Sequence, residues 1–331
     1  MTKNGYTPPF TETEEITKLV SIISEVVHHL HATLEDMPSP QLRKKNRIKT
    51  IQSSLAIENN SLSVEQVTAI IEGKKVLGAP NEITEVKNAI DAYKLLFKLN
   101  PFDKRDLLRA HQLMMKDLVN ENGRFRSGNV GVFGNQGLLH LAPPALRVPT
   151  LISDLFHWIK TTKTHPLISS CVFHYEFEFI HPFADGNGRM GRLWQTLLLM
   201  QWNPIFAWLP VETIIKEHQQ EYYDAIALSD KQGNSTSFIT FMLNCLLLSL
   251  QEVEHKDIAD IVENIVEKLP TTQGNIVRHM AQKPSISARE LAEKLSIAPR
   301  NIQVHIKKLQ EQGIIRRVGP DKGGHWEIIK E

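Results

Sequence analysis

A glycine-rich stretch of twelve residues, HPFADGNGRMGR at positions 181–192, lies between two segments with the apolar spacing of helices. Gly186 and Gly188 permit backbone conformations that residues with a Cβ avoid, and they let backbone N–H groups come close to a ligand. A loop that opens directly into a helix also concentrates unpaired N–H groups and the positive end of the helix dipole. The stretch therefore predicts an anion site, most simply for phosphate.

The charged residues of the same stretch suit a nucleotide. Arg189 and Arg192 are three residues apart, so both can project from the first helical turn toward an oligophosphate. Asp185 is a hard oxygen ligand that fits a Mg²⁺ bridging phosphates, and His181 suits a general base near neutral pH. A Gly-x-Gly or a histidine before proline is by itself an ordinary loop feature. The combination within twelve positions favours a phosphate-transfer site.

Periodicity in the rest of the chain predicts a mainly α fold. Apolar residues recur at spacings of three and four, and Pro38 and Pro40 stop the first such segment. The predicted helices begin at 13 and at about 41 and then cover 64–72, 82–99, 104–118, 150–161, 167–179, 189–200, 214–228 and 237–254. The exception is 123–149, where glycines punctuate short apolar runs and predict a short hairpin or flap.

Composition limits the functional classes. The 331 residues include 38 Lys or Arg and 37 Asp or Glu, so the net charge of +1 gives no overall attraction to nucleic acid or an anionic membrane. Cys171 and Cys245 are too few for a disulfide framework and suit a reducing compartment, so we expect a cytoplasmic protein. The first ten residues show no apolar signal region. The apolar stretches 194–210 and 238–250 are expected to be buried helices, with no membrane partner.

The stretch 181–192 resembles the complete signature of the Fic family, H-P-F-x-D-G-N-G-R-x-x-R. This resemblance implies a Fic-type helical core that transfers AMP from ATP to a hydroxyl of a target protein. It implies that His181 is the base, that Asp185 holds Mg²⁺ and that Arg192 holds the γ-phosphate. The other residues assigned to nucleotide binding are Gly186, Asn187, Gly188, Arg189, Met190 and Gly191. Phe183 is expected to anchor the core.

Two further segments extend the resemblance. Residues 123–135, which begin Gly-Arg-Phe-Arg, are similar to the family's flap, an edge strand that would hold a Tyr, Ser or Thr hydroxyl of the target over the α-phosphate. The flap contacts are assigned to Val132, Phe133, Gly134 and Asn135. Residues 221–224 resemble the segment near the nucleotide base, with Tyr222 as the expected contact. The alternative is that Tyr222 and Tyr223 are ordinary residues of an amphipathic helix. Asp230 stands where relatives often have Asn.

The end of the second helix resembles the family's inhibitory motif, S/T-x-x-x-E-G/N, in Ser54, Glu58 and Asn59. Ser54 and Glu58 are four residues apart and share a helix face. A glutamate at a helix end is by itself usually a solvated charge. Beside the signature, the resemblance implies that Glu58 pairs with Arg192 in the place of the γ-phosphate. The pair must then be broken before ATP can bind productively, and no separate antitoxin is required.

The last sixty residues predict a separate domain. Three short helices at 274–281, 287–295 and 299–312 are followed by two strands at 314–318 and 325–329, and this order resembles a winged helix. Eleven basic residues from 271 onward outnumber six acidic ones. The candidates for DNA contact on the third helix are Arg300, Gln303 and Lys307. A dimerisation or docking role is the alternative.

These observations divide the chain into an N-terminal helical region with the inhibitory motif at 1–83, a Fic core at 84–268 and a winged helix-like domain at 269–331. The expected function is that of an autoinhibited protein adenylyltransferase using ATP and Mg²⁺, and we expect a homodimer. One alternative is a DNA-binding regulator whose Fic core only senses nucleotide. Another is a family member that removes AMP or transfers a different phosphate-linked group. The presence of His181 favours an enzyme, since sensing requires no base.

Overall fold

The computed structural model of the chain describes residues 6–33, 39–134, 137–320 and 323–329. The chain folds into two compact units, Met1–Gln251 and Glu252–Glu331. The fold is mainly helical, with a two-stranded hairpin in each unit.

The first unit contains the helices that surround the glycine-rich stretch. They are α1 (Glu14–Thr33), α2 (Pro40–Ile57), α3 (Val64–Ile71), α4 (Pro80–Leu95), α5 (Lys104–Met114), α6 (Val148–Thr161), α7 (Pro166–Ile180), α8 (Asn187–Trp202), α9 (Val211–Glu217), α10 (Gln219–Gln232) and the first part of α11 (Thr236–Val266). The hairpin of β1 (Gly131–Gly134) and β2 (Gly137–Leu141) lies between α5 and α6. The helix predicted at 214–228 is two helices, because His218 leaves the α-helical region with φ −108° and ψ 34°.

Helices α7 and α8 form the centre of the first unit. Nearly every residue of α7 is buried, as expected for a helix that carries apolar residues on all sides. Most of α8 is buried as well, and the two helices pack against each other. The glycine-rich stretch joins the end of α7 to the start of α8. It is therefore fixed at both ends by the core.

The second unit is a winged helix-turn-helix, as predicted. Helices α12 (Thr271–Gln282), α13 (Ala288–Leu295) and α14 (Pro299–Glu311) are followed by the antiparallel strands β3 (Ile315–Val318) and β4 (His325–Ile328). Its core includes Ile276, Val277, Leu291, Ile302, Leu309 and Ile315. The expected capping box of Ser287 and Glu290 is present at the start of α13.

The predicted domain boundaries differ from the compact units. The second unit begins at Glu252 rather than 269, because α11 continues to Val266 and its residues Val262 and Val266 belong to the core of that unit. The non-helical connection between α11 and α12 covers only 267–270, and Thr271 is the first residue of α12. The division at 83/84 separates no compact unit, since both sides belong to Met1–Gln251.

The apolar part of α11 also differs from the prediction in length. The window Thr236–Val253 is long and apolar enough to cross a membrane by length and composition, whereas the apolar stretch identified in the sequence was 238–250. Half of this window is buried inside the protein, and the core helix of a globular unit passes the same test.

Candidate active site

The loop between α7 and α8 is built on two left-handed residues. His181 follows α7 with φ 50° and ψ 61°, and Gly186 precedes α8 with φ 82°. A Cβ at Gly186 would lie 2.6 Å from Met115 Sδ. Glycine is therefore required at 186 both by the backbone conformation and by the space available. The loop ends with the N-terminus of α8, where unpaired N–H groups favour an anion.

The side chain of Asn187 closes this loop. Its Oδ1 accepts from Phe183 N at 2.8 Å and its Nδ2 donates to Phe183 O at 2.9 Å. Because both ends of the amide are held inside the loop, the backbone N–H is the part of Asn187 that is placed for a ligand. Phe183 is fully buried and stacks on His111 with ring centroids 3.6 Å apart, which confirms its predicted place in the core.

His111, which the sequence did not single out, supports the same loop. Gly123 N donates to His111 Nδ1 at 2.9 Å, so Nδ1 is an acceptor and Nε2 carries the proton. Nε2 then donates to Asp185 O at 3.0 Å. Burial lowers the pKa of His111 to about 4 and keeps the ring neutral. A lone histidine on an amphipathic helix gives no sequence signal for this role.

Arg126 joins His181 to the hairpin. Its side chain is buried, and Nε donates to His181 O at 2.7 Å. The remaining nitrogens of the guanidinium donate to the carbonyls of Gly128 and Pro143, one on each side of the hairpin, and the Arg126 backbone N–H donates to Pro182 O at 3.0 Å. One side chain thus fixes the left-handed histidine relative to both legs of the predicted flap. The sequence placed Arg126 in the flap motif without assigning it this role.

The hairpin has the predicted antiparallel form. Gly131 pairs with Leu141 and Gly134 with Gly137, with an irregularity between Val132 and Phe133. Three of the four predicted target contacts, Val132, Phe133 and Gly134, belong to β1. The fourth, Asn135, lies outside the described residues.

Arg192 is brought to the end of α2. Its NH2 donates to Glu58 Oε1 at 2.8 Å and to Ser54 O at 2.9 Å, and its Nε donates to Ser54 Oγ at 3.2 Å. Only 2% of the Arg192 side chain is exposed. Burial alone would lower the pKa of Arg192, but the neighbouring charge of Glu58 and further anionic contacts outweigh it and raise that pKa. NH1 has no hydrogen-bond partner among the described residues.

The turn after α2 places Glu58 against the start of α8. Glu58 caps α2, and Asn59 has a left-handed φ of 68°, with Asn60 N donating to Leu55 O at 3.1 Å. This is a Schellman ending, which explains why the motif has Gly or Asn after the glutamate. A Cβ at Gly188 would overlap Glu58 Oε1. Glycine at 188 therefore allows a carboxylate to lie on the N-terminal turn of α8.

Residues of α9 and α10 hold the end of α2. Lys216 Nζ donates to Ala56 O and Gln219 Nε2 donates to Ile57 O, both at 2.8 Å. Tyr223 Oη lies 3.5 Å from the same oxygen of Ile57. The last carbonyls of α2, which lack helical partners, are thus satisfied by side chains.

Arg189 lies between two carboxylates. Its NH1 is 3.3 Å from Glu85 Oε1 on α4, and its NH2 is 3.3 Å from Asp185 Oδ1. The Arg189 side chain is 5% exposed, and its Nε and NH1 lack hydrogen-bond acceptors within the described part of the chain. Together with Arg192, it surrounds the N-terminus of α8 with buried positive charge. This arrangement suits an oligophosphate.

Three residues predicted to bind the nucleotide have packing positions instead. The side chain of Met190 is fully buried in the core. A Cβ at Gly191 would lie 2.8 Å from Glu178 Oε1, so Gly191 allows α7 and α8 to approach. Tyr222 is 2% exposed and its hydroxyl bonds to His174 Nε2 at 3.2 Å, which matches the alternative of a helix residue facing the core.

Asp230 takes part in a separate contact. It accepts a hydrogen bond from Tyr175 Oη at 2.7 Å, and this bond joins α10 to α7. Glu178, also on α7, is buried near Arg192. Burial alone would raise the pKa of Glu178, yet His174, His181 and Arg192 outweigh it and hold that pKa below its usual value. A buried negative charge therefore faces the arginine from the core side.

Asp185 is the candidate metal ligand. Its side chain is 59% exposed, and Oδ1 accepts from Gly186 N at 2.6 Å. No group of three or more His, Cys, Asp or Glu side chains suited to a metal occurs in the ranges that the structure describes. A single carboxylate is nevertheless the usual protein contribution to a Mg²⁺ that is also held by substrate phosphates and water.

Comparison with family models gives two matches. Residues 101–199 match the Fic/DOC family, and residues 269–316 match the winged helix-turn-helix DNA-binding family. A crystal structure of a Fic family protein from Desulfovibrio desulfuricans G20 is 42% identical and covers 98% of this chain and 99% of that chain, with a TM-score of 0.73. The structure of Fic-1 from C. elegans is similar in fold, with 22% identity, a TM-score of 0.57 and coverage of 71% of this chain and 72% of that chain.

Curated relatives match the part of the chain that contains the site. The protein adenylyltransferase Fic of Culex quinquefasciatus is 31% identical over 231 residues, which are 66% of this chain and 43% of that protein. The protein of the same name from Aedes aegypti is 28% identical over 221 residues, which are 63% of this chain and 42% of that protein. The chain thus spans less than half the length of these relatives.

Proposed function

This chain belongs to the Fic family, and we propose that it is a protein adenylyltransferase, which transfers AMP from ATP to a hydroxyl side chain of a target protein. The observation that carries the proposal is the pair of buried arginines at the N-terminus of α8, of which Arg189 Nε and Arg192 NH1 have no acceptor among the described residues. Buried cationic donors without acceptors are costly unless an anion meets them. The names of the curated relatives agree with this activity.

His181 is the general base of the proposed reaction. Its Nδ1 lies 3.4 Å from Glu178 O, and a carbonyl can only accept, so Nδ1 carries the proton and Nε2 the lone pair. As the target oxygen attacks the α-phosphorus, its proton passes to Nε2. The bond between the α-phosphorus and the bridging oxygen breaks, and pyrophosphate leaves with that oxygen. General-base assistance of this kind contributes about 10²–10⁴ in rate.

The phosphates are held by backbone and guanidinium donors. Gly186 N–H is bonded to Asp185 Oδ1, so the N–H groups of Asn187 and Gly188 remain for the phosphates at the start of α8, where the helix dipole favours negative charge. Arg189 contacts the phosphates beside them, and Arg192 takes the γ-phosphate. Because these donors are already in place, they stabilise the charge that develops on the phosphates without reorganising.

Mg²⁺ fits the donor set at Asp185. The carboxylate is exposed and its Oδ1 is fixed by Gly186 N–H, which leaves Oδ2 as the ligand for a hard cation. When bound, Mg²⁺ would neutralise phosphate charge and help the pyrophosphate to leave. His111 holds the backbone oxygen of Asp185, so the carboxylate is presented from a fixed loop.

Glu58 inhibits the enzyme by competition. Its carboxylate pairs with Arg192 and lies on the helix turn that would receive the γ-phosphate. ATP can bind productively only after this pair has been broken. Arg192 is then a buried charge without its carboxylate partner until phosphate replaces the carboxylate. Removal of AMP, with Glu58 activating a water, is the rival role for the same residue. Transfer of another phosphate-linked group is the rival for the site.

The test uses ATP carrying its label in different positions. The Glu58→Gly protein is incubated with a cell lysate and either α-labelled or γ-labelled ATP. An adenylyltransferase incorporates label from the α-phosphate and none from the γ-phosphate, and the Glu58→Gly, His181→Ala protein incorporates neither. Label from γ-labelled ATP would indicate a phosphotransferase instead. If Glu58 serves AMP removal, Glu58→Gly would fail to strip AMP from a purified, modified target that the wild-type protein strips.

A second candidate function is DNA binding by the second unit. Arg300, Gln303 and Lys307 are exposed on α14, while Ile302 and Ile306 of the same helix face the core. This is the arrangement of a recognition helix, and the match to a DNA-binding family favours it. Changing Arg300 and Lys307 to Ala should weaken binding to duplex DNA and flatten its salt dependence. Absence of binding by the intact protein at low salt would favour a docking role.

A further inference from the structure

A second carboxylate connects the two halves of the site. Glu85 Oε1 lies 3.3 Å from Arg189 NH1, and Glu85 Oε2 accepts a hydrogen bond from Asn60 Nδ2 at 2.7 Å. Asn60 stands two residues after Glu58, in the turn that ends α2. One side chain of α4 therefore contacts the first arginine of the signature and the segment that carries the inhibitory glutamate.

The turn after Glu58 is attached to the start of α4 at several points. Asn60 is buried, and its Nδ2 also donates to Glu82 O at 3.2 Å. Ser61 N donates to Glu82 Oε1 at 2.6 Å. The N-terminal part of α4 therefore provides a fixed position from which Glu85 reaches Arg189.

The Arg189 guanidinium has one ion pair on each side, with Glu85 and with Asp185. Glu85 meets NH1 and Asp185 meets NH2, each at 3.3 Å, so the planar group is held between two carboxylates. If the charge at Glu85 were lost, Asp185 would be the remaining carboxylate at ion-pair distance. Arg189 would then turn toward Asp185 and compete for the oxygens that suit Mg²⁺. Both phosphate binding and metal binding would suffer.

We propose that Glu85 is a positioning residue, which holds Arg189 toward the phosphates of a nucleoside triphosphate and away from Asp185. The inference rests on the proposed function insofar as ATP is the ligand of this site. Glu85 acts through Arg189 and does not itself contact the nucleotide. Through Asn60, it also ties the orientation of Arg189 to the segment that carries Glu58.

The test measures ATP binding without transfer. The parent is the Glu58→Gly, His181→Ala protein, in which the inhibitory carboxylate and the base are both absent, and its Kd for Mg²⁺–ATP is determined by calorimetry. Adding Glu85→Gln should raise this Kd about tenfold, as expected when an outer partner of a binding group is removed. Glu82→Gln is the matched control: it makes the same change on the same end of α4, keeps an acceptor for Ser61 N, and should leave the Kd within about twofold. Glu85 is 22% exposed and Gln has the same shape, so the variant should fold.

A double-mutant cycle identifies the route of the effect. With Arg189→Ala in the parent, Glu85→Gln should cause no further loss of affinity. The inference would be overturned by an undiminished effect of Glu85→Gln in the Arg189→Ala protein, or by a Kd for Glu85→Gln within about twofold of the parent. ATP binding and AMP transfer are measured in separate experiments. A protein that shows the predicted Kd pattern but incorporates no AMP would contradict the proposed function and leave the role of Glu85 intact.

Discussion

The loop from His181 to Asn187 and the end of α2 meet at the N-terminus of α8, but they are held in different ways. The loop is fixed by buried groups that bond its backbone, namely Asn187, His111 and Arg126. Glu58 is 34% exposed and lies in the site through one ion pair. In the proposed mechanism the loop is therefore a permanent frame, whereas the carboxylate is an occupant that an anion can replace.

The largest effect should come from the base within the frame. His181→Ala should lower AMP transfer by about 10²–10⁴, because proton removal from the target hydroxyl is lost. The measurement is incorporation from α-labelled ATP in the Glu58→Gly background. ATP affinity should be retained, since the N–H groups and arginines are untouched. Transfer near the parent rate would remove His181 from the mechanism.

Arg192 of α8 is the residue that Glu58 contacts and that the γ-phosphate would contact in the proposed mechanism. In the Glu58→Gly background, Arg192→Ala should lower incorporation by about 10–10²-fold, because a charge-assisted contact to the phosphate is lost. The variant removes the partner of Glu58 as well, so the same low activity is expected when Glu58 is present. A fully active Glu58→Gly, Arg192→Ala protein would refute the view that carboxylate and phosphate share one arginine.

The rigidity of the frame is tested at Gly186. Gly186→Ala should lower the free energy of unfolding by about 2–4 kcal/mol, because a left-handed backbone and the close approach of Met115 both oppose a Cβ. Gly233→Ala is the matched control, since Gly233 has a similar φ of 66° but open space around the added Cβ. Its loss should be about 1 kcal/mol, from the backbone alone. Equal losses in urea denaturation would show that the contact with Met115 carries no constraint.

The smallest effect should come from removing one weak hydrogen bond between Arg192 and α2, the helix that carries Glu58. Ser54→Ala removes the hydrogen bond to Arg192 Nε but keeps the one to the Ser54 carbonyl, so about 1 kcal/mol of support is lost. Basal self-labelling should rise about fivefold. Ser53→Ala is the control, because Ser53 is equally buried but pairs with Thr213. A rise of the same size in both variants would indicate general loosening of α2.

Sequence reasoning could predict the parts of this structure that depend on local pattern. Helical spacing, the two hairpins and the signature are written in neighbouring residues, and the resemblance alone led to Glu58. The contacts of Arg126, His111 and Glu85 could not be predicted, because each joins segments 55 to 104 residues apart. Nothing in the local sequence pattern around them distinguishes them from other polar positions.

The compact units divide the chain before the predicted boundary at 269 for a related reason. The apolar spacing of α11 continues through Gln251, so periodicity gives no sign that Val262 and Val266 enter a different core. Likewise, only packing distinguishes the two neighbouring tyrosines of α10, one of which faces the core. Tyr222 is buried beside His174, while Tyr223 lies by the end of α2.

The most direct test of the central claim compares two glutamates that end helices. Glu58 caps α2 and pairs with Arg192, whereas Glu72 caps α3 and pairs with Lys44 and Lys74 at 3.3 and 2.8 Å. Glu58→Gly and Glu72→Gly make the same chemical change at the same kind of position, and self-labelling from α-labelled ATP is measured for both and for wild type. We predict a rise of about tenfold or more for Glu58→Gly, as expected when a charge-assisted competitor is removed, and wild-type labelling for Glu72→Gly. Wild-type labelling in Glu58→Gly would contradict the account.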